Sequence, residues 1–406
     1  MTDVATRTAD PATDPDEARV REAALRLVAD HPPEKTSPEE FLGAQFDAGL
    51  AWISFREGHG GLGVAPRLAK VVQEVLRGTG APNAVARNPI GHGMGAPTVY
   101  THGSDAQRER YLRPLFTGEE VWCQMFSEPG AGSDVASLST RAVLDGEEWI
   151  VNGQKVWTTV AHLSRWGMLV ARTDPDQPKH KGLTYFVVDM HAPGVEVRPL
   201  FQITGEAEFN EVYFTDVRIP DAERLGEVGE GWRVSITTLM NERVSIGGGI
   251  AARGTGMIEI AVRAWIEAGR PGGAARDELM KLWARSEVLR LTNWRASQNR
   301  AVGTPGPEGS IGKSAGALLN QAITTYAVGV TGAGGMLLPD GGYPMARPRR
   351  MAMDVSSTQK AFLRCRANTI EGGTTEIMKN ILAERVLGLP GDVRVDKERP
   401  WTDVPR

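Results

Sequence analysis

Three short segments of this chain concentrate residue types that can do chemistry. The first is Phe126-Ser-Glu-Pro-Gly-Ala-Gly-Ser-Asp134. A glycine-rich turn carrying Ser127, Ser133 and Asp134 can turn backbone N–H groups toward an anion or a carbonyl-rich ring. Taken alone, it serves equally well as a tight loop between domains. The second is Val151-Asn-Gly-Gln-Lys-Val-Trp-Thr-Thr159. Asn152-Gly153 is a hairpin signal, which puts Trp157 and Thr159 on the following strand and on one face of it. An indole beside a hydroxyl suits a flat ring such as an isoalloxazine, one covering a face and the other bonding an edge. An ordinary half-buried strand is the competing reading. The third is Thr369-Ile-Glu-Gly-Gly-Thr-Thr-Glu-Ile377. It reads as a turn with a carboxylate leading into a helix, with Thr374 or Thr375 as the cap, and a helix N-terminus also receives phosphate.

The elements that must position these segments follow from periodicity. With 406 residues the chain exceeds one hydrophobic core, so two or three domains are expected. Apolar residues recur at helical spacing from about residue 16 to 122, for example Val71, Val72, Val75 and Leu76. Gly58 to Gly63 breaks this region, and Ser104 or Asp105 is a helix cap. From residue 123 to 222 the texture is β, with short runs at 149–151, 166–170, 183–188, 195–197 and 211–214. Residues 223–390 are helical again, interrupted by a loop at 303–309 and closed by Leu389-Pro-Gly391. Residues 1–15 form a disordered tail with no apolar core of a signal peptide, and residues 391–406 a second tail.

Composition narrows the partners. A net charge of -4 gives no sign of nucleic-acid binding, and no apolar run reaches bilayer length, so no membrane insertion is expected. Cys123 and Cys365 are the only cysteines and neither has a metal-ligand neighbour, which fits a reducing, cytoplasmic setting with no bound metal.

In this order and spacing the three segments resemble the acyl-CoA dehydrogenase family. Residues 127–134, 152–159 and 372–377 match its patterns, as do Glu211 to Pro220 and Gly229-Glu-Gly-Trp232. The resemblance covers residues 20–389. It implies a mainly α fold with a central β domain: an N-terminal helical domain, a β-barrel or sandwich, and a C-terminal four-helix bundle. It further implies FAD as cofactor, an acyl-CoA substrate and removal of hydrogens from the α and β carbons. By resemblance Phe126, Ser127, Trp157 and Thr159 hold the flavin ring, and Ser133 lies near the pantetheine or flavin phosphates. Thr374 and Glu376 fall in the ribityl and diphosphate region.

The reaction needs a carboxylate for the α proton and donors for the thioester oxygen. By resemblance one donor is the N–H of Gly372. Many relatives carry the base at the position of Gly372; Glu371 stands one residue early. Other branches carry it in a Glu-Arg pair at the start of the C-terminal domain, which here is Glu242-Arg243. Glu242 is the expected base, with Arg243 supporting the substrate, and Glu371 is the alternative. No Arg-x-x-Phe-Gly motif occurs near residue 270, so Arg270 or Arg276 is left to meet the adenine end of FAD. The resemblance also implies electron transfer flavoprotein as acceptor and a homotetramer or homodimer. A heteromer in which this chain is a non-catalytic partner, or an oxidase on the same fold, are the alternatives.

Overall fold

The computed structural model describes residues 14–246, 251–302, 308–338, 347–348, 357–391, 393, 396 and 398–404. Most of the expected N-terminal tail, the Arg243 side chain and residues 303–307 of the expected loop lie outside the described residues. The chain forms two compact units, one of residues up to 84 with 108–119, the other of residues 85–107 with 120–406.

The smaller unit is built on α1 (Pro15–Asp30), α2 (Pro38–Asp47) and α3 (Ala69–Leu76). Both α1 and α2 begin with proline in the first turn, behind Asp14 and Ser37 caps. Ser37 and Glu40 close a capping box. Val20, Ala24 and Leu27 of α1 join Phe41, Leu50, Ile53, Val71 and Val72 in one apolar cluster. Within the Gly58–Gly63 break, a Cβ on Gly61 would sit 2.1 Å from the Phe55 carbonyl oxygen, so only glycine lets the chain fold back there.

Along the chain follow α4 (Ala84–Arg87), a π-helical turn at Gly91–Gly95, α5 (Ala96–His102) and α6 (Asp105–Thr117). Ser104 caps α6, its hydroxyl accepting from the Gln107 N–H while the Gln107 side chain accepts from the Ser104 N–H.

The β domain has seven strands: β1 (Trp122–Met125), β2 (Arg141–Asp145), β3 (Glu148–Lys155), β4 (Trp166–Arg172), β5 (Leu183–Asp189), β6 (Val195–Leu200) and β7 (Phe209–Pro220). The five expected runs become β3 to β7; β1 and β2 were not foreseen. Strand order is β1-β4-β2-β3-β7-β6, with β5 on β4. β2 meets β4 only at the pair Arg141–Arg172. The sheet therefore bends there, and both halves feed one core: Cys123, Met125, Leu169 and Phe186 from one, Ala142, Trp149, Val151, Val212 and Phe214 from the other.

Asn152-Gly153 is not a hairpin. β3 runs straight through it, and the β2–β3 turn is Gly146-Glu147, between the paired Asp145 and Glu148. Asp145-Gly146 supplies the left-handed position, with Gly146 at φ +66°. Asn152 bonds across the sheet instead, donating to Asp216 and accepting its N–H. Gly153 marks a bulge against β7, where a Cβ would stand 2.5 Å from Thr140 Oγ1.

The C-terminal helices are α7 (Gly231–Ile246), α8 (Met257–Glu267), α9 (Ala274–Val302), α10 (Glu308–Val330), α11 (Thr358–Arg364) and α12 (Thr375–Arg385). Ile258 and Ala261 of α8, Leu279 and Leu282 of α9, and Leu319 and Ile323 of α10 share a core. A 3-10 turn at Cys365–Thr369 separates α11 from the glycine turn of the third segment, where Gly372 and Gly373 are both at positive φ. Past α12, Gly388 turns left-handed and the Leu389 N–H returns to the Ala383 carbonyl. The described part of the C-terminal tail is packed down: the Arg172 guanidinium lies 4.3 Å from the Trp401 ring centre, and the Trp401 N–H donates to Gln177. No helix among the described residues is long and apolar enough to cross a membrane.

Gly153→Ala should lower stability by about 1–3 kcal/mol, since the β-carbon meets the backbone and side chain of Thr140, the residue before β2. Denaturant unfolding of wild type and variant checks this; equal midpoints would contradict the bulge.

Candidate active site

The first motif is a loop held shut from below. Lys155, at the end of β3, is fully buried and donates to the Phe126 carbonyl (3.0 Å) and to Glu128 (2.8 Å). Glu128 also accepts the N–H groups of Ser139 (2.6 Å) and Thr140 (2.9 Å). Burial pushes the Glu128 carboxyl up, but the Lys155 charge and these bonds outweigh it and hold it below the usual range. With both ends of the loop fixed, Glu128 and Ala131 exchange backbone bonds. Ser127 is half-buried, its carbonyl accepting the Val156 N–H, and Ser133 is exposed.

The second motif leaves β3 after Lys155 and does not continue as a strand. Contrary to the expectation above, Trp157 and Thr159 do not share a strand face; they lie on an irregular segment. The competing pull is the neighbouring chain. Thr158 and Asn210 exchange backbone bonds, and the Val160 N–H donates to the Glu208 carbonyl. Trp157 and Val160 are held at φ +61° and +50°, two of only four non-glycine residues at positive φ among the described residues. Such conformations cost about 1–3 kcal/mol each and cluster at working sites. The Trp157 indole is 58 % exposed and meets Phe209 edge-on at 5.8 Å. Thr159 is half-buried. Thr158 is fully buried, yet its Oγ1 has no hydrogen-bond partner, and the same is true of Gln202 Nε2 and Thr204 Oγ1 on the connection from β6 to β7.

The third motif is tied to the second through Arg364. This guanidinium makes a two-pronged pair with Glu371 (3.1 and 3.0 Å), and Asn368 adds a third bond to the same carboxylate (2.7 Å). Arg364 also lies 5.8 Å from the Phe209 ring centre, behind Trp157, and 3.8 Å from the buried Glu208. Burial pushes the Glu208 carboxyl up, and Arg364 opposes this. Past Glu371, Gly372 and Gly373 turn at φ +63° and +87°. Lys313 of α10 donates to the Gly373 carbonyl. Thr374 caps α12, accepting the Ile377 N–H at 3.1 Å, and Glu376 is exposed in the first turn.

Glu242 stands on α7, half-buried, with the Gln124 amide donating to it at 3.4 Å. One turn earlier, Thr238 bonds both Thr98 (2.9 Å) and the Tyr185 hydroxyl (3.0 Å), and the Tyr185 ring meets Phe126 at 5.8 Å. Burial lowers the proton affinity of Lys313, while Glu371, Glu376 and Glu242 raise it, so all three carboxylates act on one ammonium. Phe126, Trp157, Glu371, Gly372 and Glu242 are thus linked by short chains of contact. Ser133 takes no part in these chains, and Arg270 and Arg276 are exposed around the α8–α9 connection. Sequence reading missed Gln124, Lys313 and Arg364. Gln124 carried a signal: it is the one polar residue in the apolar run 122–126.

Sequence profiles of the acyl-CoA dehydrogenase N-terminal, middle and C-terminal domains match residues 17–119, 123–217 and 229–387. Acyl-CoA dehydrogenase IpdE1 of Mycobacterium tuberculosis is 38% identical over 356 residues, 86% of this chain and 86% of that protein. Acyl-CoA dehydrogenase FadE34 of the same organism is 43% identical over 297 residues, 73% of this chain and 39% of its own length. Among solved structures, the Tcur3481-Tcur3483 steroid ACAD aligns with a TM-score of 0.70 at 24% identity, covering 95% of this chain and 100% of that one. At that identity the likeness is one of fold.

Removing one member of the buried Glu128–Lys155 pair leaves an uncompensated charge, so Lys155→Met should cost about 3–5 kcal/mol. Because the Glu128 carboxyl is depressed in the folded state, its contribution is present above the unfolded carboxylate range and is lost as pH falls through the folded value. Denaturation at a series of pH values should show that acid-side loss in wild type and not in Lys155→Met; parallel curves would contradict it.

Proposed function

Because this chain belongs to the acyl-CoA dehydrogenase family, we propose that it dehydrogenates an acyl-CoA thioester between the α and β carbons with FAD as cofactor and Glu242 as the base. Bound FAD supplies the acceptor for the β hydrogen as hydride. The chain's own residues hold the ring, orient the thioester and take the α proton.

Fit to a flavin ring is supported by the surroundings of Trp157. The exposed indole offers an apolar cover, and the unpartnered Thr158 Oγ1, Gln202 Nε2 and Thr204 Oγ1 are buried polar atoms of the kind that a polar-edged ring satisfies. Phe126, Ser127 and Thr159 complete the set that would hold it. Thr374, the α12 N-terminus and Glu376 would meet the ribityl and diphosphate part, and Ser133 the phosphate or pantetheine chain. The Gly372 N–H would donate to the thioester oxygen, with its turn held in place by Lys313. Arg243 would support the substrate.

The observation that carries the choice of base is the commitment of Glu371. Its carboxylate accepts three bonds, two from a guanidinium at 3.1 and 3.0 Å, in a part-buried setting. A carboxylate bonded on both oxygens to one guanidinium is held in a single orientation toward Arg364, and turning it to a substrate would strand the Arg364 charge. Glu371 then serves to fix the Gly372 turn. Electron transfer flavoprotein is the proposed acceptor. Val288, Leu291 and Trp294, exposed on α9, support assembly of copies of this chain through the C-terminal helices.

Glu242→Gln should keep its FAD and lose the bleaching of the flavin band by acyl-CoA, with a rate loss of about 10²–10⁴. Glu371→Gln should bleach at a rate near wild type and unfold more easily. A panel of acyl-CoAs from short to polycyclic, followed by stopped-flow absorbance, checks both. Normal bleaching in Glu242→Gln together with its loss in Glu371→Gln would reverse the assignment.

A further inference from the structure

The run Trp122-Cys-Gln-Met-Phe126 is apolar and buried except at one position. Cys123 and Met125 point into the β-domain core. Gln124, between them, faces the other side of β1. There its amide reaches across 118 residues of sequence to Glu242 on α7, at 3.4 Å. We propose that Gln124 is a positioning residue for the α-proton base: its amide donor aims the Glu242 carboxylate and favours its ionised form. This rests on Glu242 being the base.

An amide donor suits this task better than a cation. A two-pronged guanidinium, such as Arg364 gives Glu371, would occupy both carboxylate oxygens. A neutral donor at 3.4 Å orients the carboxylate without adding a charge beside it. Bonds at active sites are commonly long before substrate binds. Both anchor points are rigid. β1 is paired to β4 from Trp122 to Met125, and α7 is pinned through Thr238 to Thr98 and Tyr185.

Other ionisable groups stand around α7 among the described residues. Lys313 on α10 is a nearby cation, and Glu371 and Glu376 share it. His92, on the π-helical turn packed against α7, is pushed by burial to about 4 and is neutral at working pH. His102 of α5 is also lowered by burial and faces Thr237, more than a turn before Glu242. Arg233 lies further back still, bonded to Glu230. Tyr185 of β5 is raised by burial and stays protonated. Removing the Gln124 donor should therefore raise the apparent pKa of Glu242, because it takes away a bond made to the charged form.

The test is the pH profile of flavin reduction in single turnover, with FAD-loaded enzyme and the acyl-CoA that bleaches wild type fastest. Gln124→Leu should move the pH profile of reduction to higher pH by about one unit, with a loss of up to about tenfold on its acid limb, recovery at higher pH and KM near wild type, since a one-unit shift changes the ionised fraction at most tenfold. Gln124→Glu, nearly isosteric, places a like charge beside the base and should shift the profile further. A profile of wild-type shape in both variants, or a loss equal at every pH with a raised KM, would overturn the proposal. Glu242→Gln, run alongside, separates the two claims: if it still bleaches, the base is elsewhere; if it does not while the Gln124 variants behave as wild type, only the role of Gln124 is lost.

Discussion

Lys155 carries its ammonium into the β domain with no exposed surface, and much of the architecture around the site follows from how that charge is satisfied. Burying an ion costs several kcal/mol even in a relaxed protein interior, so the pair with Glu128 has to be complete. Completing it fixes more than two residues. Lys155 draws in the Phe126 carbonyl, and Glu128 reaches forward to the Ser139 and Thr140 N–H groups. Both ends of a fourteen-residue excursion are thereby held to the end of β3, counting from Phe126 to Ser139. Gly130 and Gly132 between them face open space, where a β-carbon would meet nothing, so they are not demanded by packing. Their freedom is consistent with a backbone shaped to approach a ligand. The same fixed point lets the chain leave β3 into the left-handed Trp157 and Val160, a strained path that persists only where its surroundings over-determine it.

Arg364 plays the matching part on the helical side. It spans Glu371, Glu208 and the back of Phe209, and so joins the glycine turn of the last motif to the ring that supports Trp157. The site then contains two carboxylates in different settings. Glu371 is held by Arg364 and Asn368, while Glu242 accepts from the Gln124 amide. Environment, not residue type, divides such pairs into structural and chemical members. Lys313 sits between them, bonded to Gly373 and within the field of both.

How much of this was legible depends on the range of each interaction. The strands with sustained apolar runs could be read, because β4 and β5 are buried on nearly every residue. β2 could not, since only Ala142 of its five residues faces inward and no alternation results. β1 reads as the end of the preceding helices, because four residues, three of them buried, have no period of their own. The Asn-Gly pair misled because its hairpin chemistry was outbid by Asp216 across the sheet and by the close approach of Thr140. Motif residues within a few positions of one another could be found together. Gln124 with Glu242, Lys313 with Gly373 and Arg364 with Phe209 are separated by 118, 60 and 155 residues (364 − 209), and only the folded chain brings them into contact.

A catalytic base has to satisfy two demands that pull apart. It must be held in one place, and it must not be bonded so well that it loses its affinity for a proton. On α7 the first demand is met by the helix itself, through Thr238 tied to α5 and β5 one turn before Glu242. The helix start is fixed as well: a β-carbon on Gly231 would lie 2.6 Å from the Thr184 backbone, so α7 and β5 touch main chain to main chain. Rigidity thus comes from the backbone and from neutral hydroxyl bonds, which leave the carboxylate's own electrostatics alone. The Gln124 amide bears on the second demand as a neutral donor. Glu371 shows the other outcome, a carboxylate that is itself the anchor, with both oxygens bonded to Arg364.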